Sequence, residues 1–131
     1  MRLRHWLALV VIAVALVAIA SPAEVGELLG RPAKSSSETI NLRATWGGAL
    51  LGVGLAIGWA RHETRARRIV SWVMWLMVGI GLARAVGFVL DGDPDRLQWI
   101  WIVAEVLIAS GCAGWLLRSA PRGSAGERVV P

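Results

Sequence analysis

Four stretches of this chain are apolar over the length that crosses a bilayer, and this limits the folds open to it more than any other feature. A transmembrane helix needs roughly 17–25 predominantly apolar residues. The stretches occupy about 5–21, 42–60, 69–90 and 97–117. Between them lie short polar connections marked by Pro22, Gly30 and Pro32, by Arg61 to Arg68, and by Asp91 to Asp95. Hydrophobic residues make up 56% of the chain, above the roughly 45–50% of a soluble domain. A water-soluble fold of 131 residues has too few polar positions here to cover that apolar surface. The expected fold class is all-α: an integral membrane bundle of four antiparallel transmembrane helices, forming one domain over residues 1–117. Residues 118–131 are rich in Gly, Pro, Ser and charge, and read as a disordered tail.

The net charge is +5 and the pI about 11.3. In a soluble protein that balance would suggest nucleic acid. Here the basic residues sit in the connections, which is the pattern of membrane orientation, and no nucleic-acid partner is expected. One side of the bundle receives nine: Arg2, Arg4, Arg61, Arg65, Arg67, Arg68, Arg118, Arg122 and Arg128. The other receives three: Arg31, Lys34 and Arg96. The first side is therefore expected to be cytoplasmic, with both termini on it and the protein multi-pass in a plasma (inner) membrane. Trp6, Trp59, Trp72 and Trp115 fall near the inner edge, and Trp46 and Trp99 towards the outer. Those are depths that tryptophan favours, although packing within the bundle explains any one of them as well. Cys112 is the one cysteine, so neither an intramolecular disulfide nor a cysteine-based metal site is open to the chain.

The first stretch has two readings. Arg2 and Arg4 precede it, and it ends Ala18-Ile19-Ala20 before Ser21-Pro22, which is the form of a signal peptide. The preferred reading is an uncleaved first helix, because the other stretches already commit the chain to the membrane. After it, Glu24 to Leu29 suggests one interfacial turn, Lys34 to Thr39 reads as loop, and Asn41 as the cap of the second helix. Ala44, Gly48, Gly52 and Ala56 then recur at steps of four. Small residues at that spacing let another helix approach closely.

Three charged side chains lie inside the apolar stretches: Arg43, Arg84 and Glu105. Each costs about 2.5–3.5 kcal/mol to insert, so the default reading is functional. With antiparallel helices, Arg43 lies near the outer start of its helix. Arg84 and Glu105 lie roughly 9 and 12 Å below the outer interface at 1.5 Å per residue. All three should meet in the outer half. Glu105 shares a helix face with Gln98 and Trp101, and Arg43 shares one with Gly47 and Gly54. Glu105 is expected to pair with Arg84, or to bridge Arg84 and Arg43. That leaves one excess positive charge, to be offset by Asp91 or by an anionic ligand. Asn41, Asp91 and Gln98 are the further contributors. The alternative is a purely structural ion pair that fixes helix register.

His5 and His62 fall at the cytoplasmic edge, not mid-membrane where a haem-binding bundle would place its ligands. Asp91, Asp93 and Asp95 alternate like the start of a calcium loop, but Pro94 and the missing later ligands argue against one. No Ser/His/Asp arrangement, phosphate loop or metal cluster is evident. No catalytic residue, metal or cofactor is expected.

Asn41-Leu42-Arg43-Ala44-Thr45-Trp46-Gly47-Gly48 resembles the opening of the second helix in domain-of-unknown-function family 4345, small bacterial membrane proteins. Gly81 to Arg84, Asp91 to Pro94 and Glu105 are similar to that family's third-helix arginine, its turn and its fourth-helix glutamate. The resemblance covers about residues 5–117 and implies four transmembrane helices. It implies no activity. The function expected is a non-enzymatic accessory, assembly or structural membrane subunit. Its partners would be the lipid bilayer and a second copy or another membrane protein. The alternative is a small transporter or a binder of lipid or another hydrophobic ligand, built on Arg43, Arg84 and Glu105.

Overall fold

The computed structural model describes residues 2–59 and 64–119. Arg61, His62, Arg122, Arg128 and the tail beyond Ser119 lie outside them. All regular structure among the described residues is helical, and four helices are long and apolar enough to cross a membrane. The first is α1 (Arg2–Ala20). The second is assembled from α3 (Ser36–Leu42), a π-helical segment (Arg43–Gly48) and α4 (Ala49–Trp59). The third is α5 (Arg65–Leu90) and the fourth α6 (Arg96–Arg118). A short α2 (Pro22–Leu28) fills the first connection.

The helix starts follow from capping chemistry that the apolar blocks conceal. Of residues 34–39, expected as loop, Ser36 onwards is helix and Lys34 and Ser35 lead into it. The Ser35 hydroxyl accepts the Glu38 amide at 3.2 Å, and the Glu38 carboxylate accepts the Lys34 amide at 2.6 Å. This Ser-x-x-Glu arrangement closes orphan donors at the helix start. The second helix therefore begins at Ser36, and Asn41 lies within it rather than capping it. Thr64 caps α5, so Arg65 to Arg68 form its first turn instead of a connection. Asp95 caps α6 by accepting the Gln98 amide at 2.9 Å. The expected single turn over Glu24 to Leu29 is a longer helix, started by Pro22 and stopped at Gly30. Gly30 has φ of +67°, and its amide and that of Arg31 bond back to Glu27 and Gly26. That is a helix-ending pair in which glycine bears no Cβ penalty.

The helices pack in a row: α1 on α4, α4 on α5, α5 on α6. The second span is the most enclosed, with 44% of its most apolar window buried against 6% for α6. Its glycines serve both neighbours. A Cβ on Gly52 would sit 2.6 Å from the Leu76 Cα, and one on Gly48 2.7 Å from the Ile80 Cα, both in α5. On the other side, a Cβ on Gly47 would sit 2.5 Å from Ile19 and one on Gly54 2.6 Å from Ile12, both in α1. The small-residue stripe of the second span thus packs on α5. The face shared by Arg43, Gly47 and Gly54 packs on α1.

The core is made of small residues. Ala8, Ala15, Ala18, Ala44, Ala56 and Ala83 are buried, with Ile40 the large apolar side chain fully enclosed. The leucines, valines and tryptophans of α1 and α6 lie mostly on the outside. In water this distribution would be unstable. In lipid there is no hydrophobic drive between helices, and close backbone contact through small residues takes its place.

Candidate functional site

Among the described residues, four polar or charged side chains are buried in this apolar body: Arg43, Arg84, Gln98 and Glu105. They form two separate groups. In the first, Arg84 of α5 grips Glu105 of α6. Its Nε donates to the carboxylate at 3.0 and 3.2 Å and its Nη2 at 2.8 Å. The planar fork of arginine suits this two-point contact. Its Nη1 donates to the Gln98 side-chain oxygen. Gln98 and Glu105 lie seven residues apart, two turns along one face of α6. That face is turned to α5, so both side chains reach the same guanidinium.

The second group is built on Arg43. Its Nε and Nη2 donate to the two Asp91 oxygens at 3.1 and 2.7 Å. Its Nη1 donates to the Ile19 carbonyl. That carbonyl lies in the last turn of α1, where backbone acceptors have no partner within the helix. Arg43 thereby ties three elements: the π segment, the end of α5 and the end of α1. Ile40 packs beside Gly87 at the same level, where a Cβ would sit 3.2 Å from its side chain.

The bridging alternative, in which Glu105 would join both arginines, does not describe this arrangement. Among the described residues, Arg43 pairs with Asp91 and Arg84 with Glu105. The excess positive charge is met by Asp91. Gln98 belongs to the Arg84 group. Asn41 joins neither ion pair: its side-chain oxygen accepts the Thr45 hydroxyl at 3.5 Å, although it lines the same cleft as Arg84.

Sequence reasoning missed the role of Arg67, counted above only as an orientation charge. Its Nη1 donates to the Leu116 carbonyl at 3.0 Å and the Ser119 hydroxyl at 2.6 Å. It closes the end of α6 much as Arg43 closes the end of α1. The π segment was missed as well. Such turns carry one extra residue and occur often at functional positions, and nothing in Arg43 to Gly48 marks one by composition.

A cleft lies beside the Arg84 group. Its walls are α6 (Trp101, Ala104) and the second span (Asn41, Thr45), with Met77, Ile80 and Arg84 of α5 as its floor. Its volume is about 260 Å³. A second cavity of about 290 Å³ shares Asn41 and Trp101 and adds Gln98, Asp95 and Ser37. The two adjoin at Asn41 and Trp101, the second being the more polar of the pair. On the far side of Glu105, between α5 and α6, runs a third, more apolar groove of about 310 Å³.

Comparison with curated proteins and with solved structures found no match for the chain. Comparison with family models did: one model matches residues 4–117, a stretch that takes in all four long helices, both arginine groups and the cleft. The chain belongs to the family described as Domain of unknown function (DUF4345).

Proposed function

We propose that this protein is a non-enzymatic accessory or assembly subunit of the plasma (inner) membrane. Its four spans would run antiparallel with both termini cytoplasmic. The excess of arginine at the end that carries Arg4, Arg65, Arg67, Arg68 and Arg118 supports this orientation. The contacts of Arg67 with Leu116 and of Arg84 with Glu105 support opposite directions for α5 and α6.

The observation that carries the assembly reading concerns glycine. Where this chain places glycine in the middle of a span, it is mostly where another backbone comes close, as at Gly47, Gly48, Gly52, Gly54 and Gly79. In α6, Gly111 and Gly114 meet nothing within 4 Å. Glycine weakens a helix by about 1 kcal/mol relative to alanine, a cost that a partner helix on that face would offset. Both buried arginines are matched one to one by carboxylates, which suits a structural frame.

Cys112 lies between those glycines and makes the test direct. Membranes holding the protein are treated with a short bifunctional maleimide. A Cys112-linked species is expected, either a dimer or a cross-link to another membrane protein. Gly111→Leu should reduce it at least fivefold without loss of folded protein. A chain that stays monomeric and uncrosslinked at native expression would overturn this reading.

A further inference from the structure

We propose that the cleft between α6 and the second span binds an uncharged amphiphile whose head carries hydrogen-bond-accepting carbonyl oxygens. An acylglycerol is the simplest member of that class. The proposal does not depend on the assembly reading.

The cleft is a consequence of how α6 is attached. α6 joins the second span at one end, where the Asp95 amide donates to the Ser37 hydroxyl at 2.9 Å. Its extensive packing is with α5, and among the described residues its main meeting with the second span is through α3. The two walls stand apart below that junction. The opening is bordered by Asn41 and Thr45, both exposed, and by Trp101. Ile80 and Ile108 line its apolar part, which suits a hydrocarbon chain entering sideways from the bilayer.

The polar groups lining these adjoining cavities decide the head. Arginine carries five N–H donors. Arg84 places Nε, Nη1 and Nη2 on Glu105 and Gln98, and two N–H groups remain. The Gln98 side-chain oxygen is taken by Arg84, and its NH₂ makes no hydrogen bond among the described residues. The Asn41 oxygen is taken by Thr45, and its NH₂ is likewise uncommitted. These N–H donors stand beside the carboxylates of Glu105, Glu38 and Asp95. A ligand that meets the donors therefore needs acceptor oxygens and does best without a negative charge of its own. A ligand carbonyl that takes up these donors adds about 0.5–1.5 kcal/mol per hydrogen bond, roughly two- to tenfold in retention.

Charge then separates carbonyl from phosphate. Glu105 already neutralises Arg84. An anionic phosphate head would enter a low-dielectric site with no counter-ion of its own, at a large desolvation cost. A carbonyl head accepts the same donors and brings no charge.

The test uses the full chain purified in mild detergent, with dioleoylglycerol and dioleoylphosphatidylglycerol as probes in native mass spectrometry. One dioleoylglycerol should remain bound per chain, at least tenfold more tightly than the phosphatidylglycerol. Asn41→Leu removes one donor from an exposed wall, and should weaken retention roughly two- to tenfold, the range for a single hydrogen bond. Ala104→Trp fills the cleft and should abolish retention. Failure to hold dioleoylglycerol overturns the proposal, and so does preference for the anionic lipid. Retention unchanged in both variants also overturns it, since it would mean lipid bound elsewhere on the helix surface. Should Ala104→Trp fail to fold, Asn41→Leu alone decides.

Discussion

Glu105→Ala is expected to destabilise the bundle by about 3–5 kcal/mol, the usual consequence of leaving one member of a buried ion pair without its partner. Arg84 is 3% exposed, so solvent screens little of its charge. Gln98 would remain as a neutral acceptor for one of its N–H groups, which does not compensate a charge. The reverse change, Arg84→Ala, strands Glu105 and should cost a similar amount. Replacing both together is different in kind. Arg84→Met with Glu105→Leu removes the desolvation cost along with the attraction, and should return stability close to wild type or above it. Unfolding of the single and double variants in lipid nanodiscs, followed by far-ultraviolet circular dichroism, makes the comparison. If the single variants unfold like wild type, the pair is not holding α5 to α6, and the frame argued above loses its basis.

Gly79→Leu should be still more damaging. A Cβ at Gly79 would run into the Gly48 carbonyl oxygen and the Gly52 amide nitrogen, and would lie 2.7 Å from the Gly52 Cα. These are backbone atoms of the second span, and no side-chain rotation can relieve the contact. The two helices would have to separate, which opens the approach that Gly48 and Gly52 make to α5. Overpacking usually costs about 1–3 kcal/mol when side chains can adjust. Here they cannot, and no folded protein is expected from Gly79→Leu, with Gly79→Ala already losing most of its thermal stability. Gly111→Ala is the control. A Cβ there meets nothing within 4 Å, and the change should not destabilise the chain, alanine being the better helix former by about 1 kcal/mol. Equal tolerance at the two positions would mean that α4 and α5 are not in backbone contact.

The spans were legible in the sequence because lipid leaves the backbone little choice. Helix is the one local structure that satisfies its own amides, so length and apolarity suffice to find one. The ends were less legible. Ser35, Thr64 and Asp95 all sit in polar runs, and hydropathy passes over them because capping depends on one oxygen facing one amide. Arg65 to Arg68 looked like connection for the same reason. The charged trio stood out by its cost in lipid, and Gln98 by sharing a helix face with Glu105. How Arg43 would be paired did not follow. That depends on whether Asp91 at the end of α5 reaches it more readily than Glu105 in α6, and so on the π segment and the row-like packing. The cleft had no sequence signature either. It arises where α6 fails to meet the second span, and such a gap is a property of the assembled helices.

Both ion pairs have a bearing on how the chain is made. Arg43 precedes Asp91 by 48 residues, and Arg84 precedes Glu105 by 21. At ribosomal rates of roughly 5–20 residues per second, each arginine waits about one to ten seconds before its carboxylate has been synthesised. For that interval the second and third spans each hold a charge worth about 2.5–3.5 kcal/mol against entering lipid. They are therefore expected to linger in the insertion machinery or near the water interface until the acidic turn and then Glu105 emerge. The acidic turn would thus release the second span, and Glu105 of α6 the third. Nascent chains stalled before Glu105 should remain extractable from the membrane, while chains stalled after the fourth span should not.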